Sequence, residues 1–250
     1  MNPVALFRHS IADGPGYFAT VLDRNRIPWQ LIKTDQGEAL PADTRGFSGF
    51  AFMGGPMSVN DDLPWIAPAM DLIRNAVGAD IPVIGHCLGG QLMAKALGGV
   101  VTRNPVKEIG WGQVDVLPVE AGRGWFGDVT TFESFHWHGE AFTLPPGAVR
   151  LAASAHCPNQ MFAMGKHLGM QCHVEMTPTL IAGWCRDWDS EVRTLAQRTA
   201  SVQTPDQMLL EVEQKTARLH CVADRLYAVW MRGLERCDYC LADAWQGIRT

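Results

Sequence analysis

A cysteine flanked by glycines, set between a strand-like run and a helix-like run, constrains this chain more than any other stretch. Ile81, Val83 and Ile84 form a short apolar, β-branched run that reads as a buried strand. Leu88, Leu92, Met93, Ala96 and Leu97 then recur at helical spacing, so a helix follows almost at once. The link between them, Gly85-His86-Cys87-Leu88-Gly89-Gly90, has to turn sharply, and Gly85 and Gly89 supply the small neighbours that such a turn needs. The turn lifts Cys87 above the sheet, which is the geometry of a nucleophile elbow. A thiolate is the reactive form of cysteine, and the unpaired N–H groups of a helix N-terminus favour negative charge. The N–H of Leu88, next after the cysteine, is free to receive a developing oxyanion. A buried, inert cysteine fits the same short pattern, so the rest of the chain has to decide.

The surrounding segments predict an α/β fold. Val4–Phe7, Trp29–Ile32 and Phe50–Met53 read as strands, and Tyr17, Val21 and Leu22 fit a helix that ends before Pro28. Strands alternating with helices point to a parallel sheet with helices on both faces, whose ligands bind at the carboxyl ends of the strands. The loop Gly54-Gly55-Pro56 follows the third strand directly. Its bare backbone is either a simple turn or a second oxyanion donor, near Gly55. Residues 101–130 read as strands and turns, with a break at Gly110-Trp111-Gly112.

At 250 residues the chain is long enough for a sizeable core. Its net charge of −5 gives no electrostatic footprint for nucleic acid or an anionic membrane. No apolar run approaches membrane-spanning length, and Arg8 and His9 interrupt any secretory signal core. Seven irregularly spread cysteines do not form a disulfide framework, so a cytoplasmic location is expected.

Two further segments carry candidate chemistry. In Gly169–Glu175, alternate residues of an extended chain share a face, so His173 and Glu175 can point the same way. A carboxylate beside a histidine fixes its tautomer and steadies the imidazolium, which completes a nucleophile, base and orienter if His173 reaches Cys87. His136 and His138 share one face of a strand, but the spacing places no third ligand, and no metal or cofactor is expected. Cys237 and Cys240 form an isolated C-x-x-C, too incomplete for a zinc site on its own.

These pieces together resemble the class I glutamine amidotransferases. Gly85-His86-Cys87-Leu88-Gly89-Gly90-Gln91 is similar to their G-x-C-x-G-x-Q elbow, Gln171–Glu175 to their Q-x-H-x-E segment, and Gly54-Gly55-Pro56 to their oxyanion loop. Trp137-His138-Gly139-Glu140 is similar to the S-H-G-D stretch of the GMP-synthetase glutaminase domain. The resemblance implies a flavodoxin-like three-layer sandwich with a mostly parallel central sheet. It implies that Cys87 attacks the side-chain amide of glutamine, that His173 moves the proton and that Glu175 orients His173. By the same resemblance, the N–H groups of Gly55 and Leu88 form the oxyanion hole, and Gly54, Gln91, Trp137 and His138 contact the substrate. The chain departs from the pattern at Val174, where proline is usual, and at Trp137 and Glu140.

The alternation of strand and helix stops after Asp187. Residues 1–189 are expected to form the amidotransferase-like domain, and 190–250 a helical extension packed on it. Thr204-Pro205-Asp206-Gln207 resembles a helix start, and apolar spacing continues to about Leu234 as a packing surface or a homodimer contact. The extension is too short to bind and activate an ammonia acceptor. Either a separate synthetase subunit takes the ammonia, or the protein is a free-standing hydrolase of L-glutamine or another γ-glutamyl amide. An inactive binding module and another cysteine α/β hydrolase are the rival readings.

Overall fold

The apolar runs pair side by side, all pointing the same way. In the computed structural model, described over residues 1–234, β1 (Val4–Arg8), β2 (Trp29–Lys33), β3 (Gly49–Phe52), β4 (Val83–His86) and β9 (His167–Met170) lie in the order β2-β1-β3-β4-β9, each neighbouring pair parallel. Antiparallel β8 (Met161–Met164), β7 (Val149–Ala153), β5 (Val101–Val116) and β6 (Thr131–Phe142) extend this parallel region into one nine-stranded sheet. Cys237 and Cys240 lie outside the described residues.

The two-residue repeat of a strand sends alternate side chains to opposite faces, and both faces are covered. In β1, Val4 and Leu6 join one core while Ala5 and Phe7 join the other. The first core packs beneath α1 (Gly16–Arg24), α4 (Glu120–Phe126), α5 (Pro178–Asp187) and α8 (Val212–Met231), and the second beneath α2 (Ile66–Gly78) and α3 (Leu88–Ala96). The result is an α/β sandwich of three layers.

Two expectations need correction. Strand β5 runs through Gly110–Gly112 without a break, because its register with β6 continues from Glu108 to Asp115, while on its other edge the Gln203 amide bonds both the N–H and the carbonyl of Trp111, at 2.8 and 3.1 Å. Past α6 (Asp189–Ala196), the single long helix expected from Thr204 onward is two. Thr204 caps α7 (Pro205–Leu209) with a reciprocal Gln207 bond, and Glu211 at φ 56° then breaks the chain before α8. The apolar face of α8, which read as packing surface or dimer contact, is spent inside its own chain: Leu219, Ala223, Leu226, Tyr227 and Trp230 are buried in the first core.

Burial also sets the response to acid. His9 is stacked on Trp65 and hydrogen-bonded to Thr34, and burial lowers its pKa to about 3. Burial lowers that of His167 to about 4. Both rings stay neutral in the fold but take up protons in the unfolded chain below its value near 6.5, so stability falls with pH from there downward. The expected loss between pH 7 and pH 5 is about 2 kcal/mol for each ring. Urea unfolding of the parent protein and of His9→Gln and His167→Gln at the two pH values isolates it, and an equal pH dependence in parent and variants would show that the rings are not held neutral.

Candidate active site

The elbow forms because nothing larger than glycine fits around it. A side chain at Gly89 would collide with the Phe52 carbonyl and one at Gly90 with the Met170 carbonyl, so the first turn of α3 rests directly on the ends of β3 and β9. Cys87 is squeezed between β4 and α3 at φ 49° and ψ −106°, a conformation costly for a non-glycine residue and common where function demands it. Leu88 opens the helix, so its N–H has no partner within α3. Gly55 lies against it, since a Cβ there would stand 2.8 Å from Leu88 Cδ2. The Glu140 carboxylate accepts from the Ser58 hydroxyl at 2.8 Å and so ties the Gly55 loop to β6.

His173 and Glu175 lie just beyond β9, where the backbone of His173 donates to the Phe135 carbonyl at 2.8 Å. His173 Nδ1 donates to Glu175 Oε1 at 2.7 Å, and both side chains are buried. Burial opposes a charged imidazole there, but the Glu175 carboxylate and then the Cys87 sulfur outweigh it, so the pKa of His173 is held well above its ordinary value. Burial likewise opposes the Glu175 carboxylate, and the His173 charge prevails, keeping its pKa below the usual carboxylate value. His173 Nε2 has no hydrogen-bond partner among the described residues and is available to exchange a proton.

The bare backbone of Gly54 is where these groups converge. A Cβ at Gly54 would stand 3.2 Å from His173 Cε1, 3.3 Å from Asp13 Oδ1 and 3.8 Å from Cys87 Cβ. Gly55, Cys87, Gln91, Trp137, His138 and His173 open onto one cavity of about 670 Å³, within the usual range for small-molecule sites. Trp184 meets the His173 ring edge-on at 5.1 Å and Trp137 at 5.4 Å, forming an aromatic wall. Two expected contacts are partly committed elsewhere. Gln91 Nε2 already donates to Gln171 Oε1 at 3.1 Å, and the His138 ring turns toward Glu108.

Sequence reasoning missed two groups. The motif resemblance gives Gln171 no role of its own, yet its Nε2 lies 3.6 Å from Cys87 Sγ, placed to donate to a thiolate. Asp13 opens an Asp-Gly-Pro-Gly stretch whose composition predicts no more than a turn. Its carboxyl lines the cavity with Oδ2 unpartnered among the described residues, and burial raises its pKa. A buried carboxyl there can accept from an amide N–H or an ammonium group. The only sequence signal for it was its position after the first strand of a parallel sheet.

The sheet and its cysteine turn place the protein among the α/β proteins that carry a thiol at a nucleophile elbow. A family description, glutamine amidotransferase class-I, matches residues 22–182, and the chain belongs to that family. It is 37% identical over 168 residues to a glutamine amidotransferase-like protein, YfeJ, of Salmonella typhimurium, covering 63% of this chain and 68% of that one. It is 34% identical over 145 residues to a glutamine-hydrolysing GMP synthase of Aeropyrum pernix, covering 57% of this chain but 26% of the synthase. A glutamine amidotransferase crystal structure from Methylobacillus flagellatus superposes with a TM-score of 0.91 at 41% identity, covering 93% of this chain and 95% of that one. One from Thermotoga maritima gives 0.82 at 26% identity, covering 94% and 98%.

Proposed function

We propose that the protein hydrolyses the side-chain amide of L-glutamine, or of a related γ-glutamyl amide, through a thioester on Cys87. The observation that carries this reading is the buried 2.7 Å bond between His173 and Glu175, with His173 Nε2 left free on the same cavity as Cys87. Cys87 Sγ gives its proton to His173 and forms a bond to the amide carbon. The N–H groups of Gly55 and Leu88 hold the oxyanion. His173 returns the proton to the leaving nitrogen as the C–N bond breaks, releasing ammonia or an amine. Water, deprotonated by His173, then cleaves the thioester and frees the glutamyl carboxylate. Arg103 and Lys107 on the cavity wall suit the substrate's α-carboxylate, and Asp13, Glu140 and Glu191 its α-ammonium group.

The relation to GMP synthases, of which the chain spans about a quarter, supports passage of the ammonia to a separate synthetase subunit. The buried free thiols of Cys157, Cys172 and Cys185 suit a reducing compartment, the cytoplasm. The test is to incubate the purified protein with a glutamine-mimicking electrophile, map the adduct by peptide mass spectrometry, and measure ammonia release from L-glutamine and amine release from γ-glutamyl amides. Labelling of Cys87 with turnover of either substrate class is expected. Labelling of other cysteines while Cys87 stays unmodified would overturn the proposal and favour a binding module.

A further inference from the structure

The geometry points to a divalent transition-metal site of the zinc class, held by Glu108, His136 and His138 with Gln160 as the fourth ligand. The strand register builds it. Glu108 of β5 stands directly opposite His138 of β6, and the two-residue step along β6 brings His136 to the same face. One donor atom from each of the three lies within 4.8 Å of the others, and all three residues are buried. Tetrahedral bonds of about 2.1 Å set ligand atoms about 3.4 Å apart, so only small shifts are needed. Glu108 Oε2 and His138 Nε2 are already 3.1 Å apart.

Hydrogen-bond accounting explains why a cation belongs there. His136 Nε2 faces the Gly112 carbonyl at 3.4 Å and His138 Nδ1 faces the Glu140 carbonyl at 3.1 Å. A carbonyl only accepts, so each ring turns an N–H outward and, in its neutral form, a lone pair inward. This is the arrangement in which a backbone carbonyl fixes the tautomer of a metal-ligating histidine. The inward lone pair of His138 Nε2 then meets a carboxylate oxygen of Glu108, and His136 Nδ1 faces the Gln160 amide beside it.

The Gln160 amide nitrogen alone sits among them, at 2.9 Å from Glu108 Oε2, 3.0 Å from Ser154 Oγ, 3.3 Å from His136 Nδ1 and 3.5 Å from His138 Nε2. Its two hydrogens cannot serve four acceptors. The amide oxygen of Gln160, meanwhile, is buried without a partner among the described residues. A half-turn of the amide brings that oxygen to the focus of the three donors and completes a two-histidine, carboxylate, amide-oxygen set. The Ser154 hydroxyl, donating to Glu108 Oε1 at 2.7 Å, holds the carboxylate from behind. A bound ion would join β5, β6 and the segment before β8, and would fix the Trp137–His138 backbone that edges the cavity.

The test uses the full chain with Cys87, Cys237 and Cys240 replaced by serine, so that no thiolate of the elbow or of the C-x-x-C competes. Co²⁺ is titrated in and Zn²⁺ is used to displace it. The site predicts one Co²⁺ per chain, with a tetrahedral ligand-field spectrum lacking thiolate charge transfer, and a higher melting temperature on loading. Glu108→Gln and His136→Asn each weaken binding at least about tenfold. Failure of this triple-serine protein to retain one Co²⁺, or an octahedral or thiolate spectrum, overturns the proposal. The cluster would then be a Glu108–His138 pair sharing a proton. The spectrum of the triple-serine protein decides the matter even if a ligand variant does not fold.

Discussion

Cys87→Ala lowers glutamine or γ-glutamyl amide hydrolysis by about 10⁴-fold or more, while the urea midpoint stays within error of the parent protein. The size of the effect follows from the covalent route. Without sulfur there is no thioester, and the oxyanion hole and His173 are left to assist only direct attack by water. Structural neutrality follows from the contacts. Among the described residues, the hydrogen bonds of Cys87 Sγ to the Trp137 carbonyl, at 3.9 Å, and from Gln171 Nε2, at 3.6 Å, are long, and alanine bears the strain at φ 49° no differently from cysteine. Steady-state ammonia release with parallel urea unfolding measures both. Retention of more than a tenth of the parent rate would show that Cys87 is not the nucleophile.

Glu175→Gln lowers kcat by about 10²- to 10⁴-fold with a much smaller effect on KM, the range set by other acyl-transfer triads. Glutamine has the volume of glutamate but presents an amide that can donate as well as accept. If it donates to His173 Nδ1, the ring's proton moves to Nε2 and the imidazole can no longer take one from Cys87. The charge that does most to hold the pKa of His173 up is lost as well, which leaves the Cys87 sulfur alone against burial, and the pKa falls. The pH–rate profile of the variant therefore shifts toward lower pH on the limb that His173 controls, which separates an orienting role from simple damage to the fold. An unchanged kcat would remove Glu175 from the mechanism.

Much of this site could be read before the fold was known, because its parts are local. The Gly85–Gly90 turn is dictated by residues within one strand–helix link, and His173 and Glu175 lie two positions apart. Their meeting needed only that β4 and β9 be neighbours in a parallel sheet. Other parts depend on distant pairings that no short-range pattern encodes. Asp13 reaches the site only because the loop after β1 arches over Gly54. Glu108 meets His138 only through the β5–β6 register, which shifts between Arg103 and Glu108. The helix break at Glu211 was hidden because the apolar spacing on either side stays helical, and one residue in a left-handed conformation is enough to redirect the chain.

The position of Tyr227 bears on how separable the two ends of the chain are. Its hydroxyl, carried on α8, bonds His86 Nε2 at 3.0 Å, and the same nitrogen lies 4.0 Å from Glu175 Oε2. On the same helix His220 donates to the Met176 carbonyl at 2.8 Å, one residue past Glu175. The C-terminal segment thus backs the carboxylate bonded to His173 indirectly, through His86 and the Met176 carbonyl. A chain cut at residue 189 would keep Cys87, His173 and Glu175 and lose the brace behind Glu175. A transplant of the first 189 residues therefore calls for α8 as well, or for other groups placed behind His86 and Glu175.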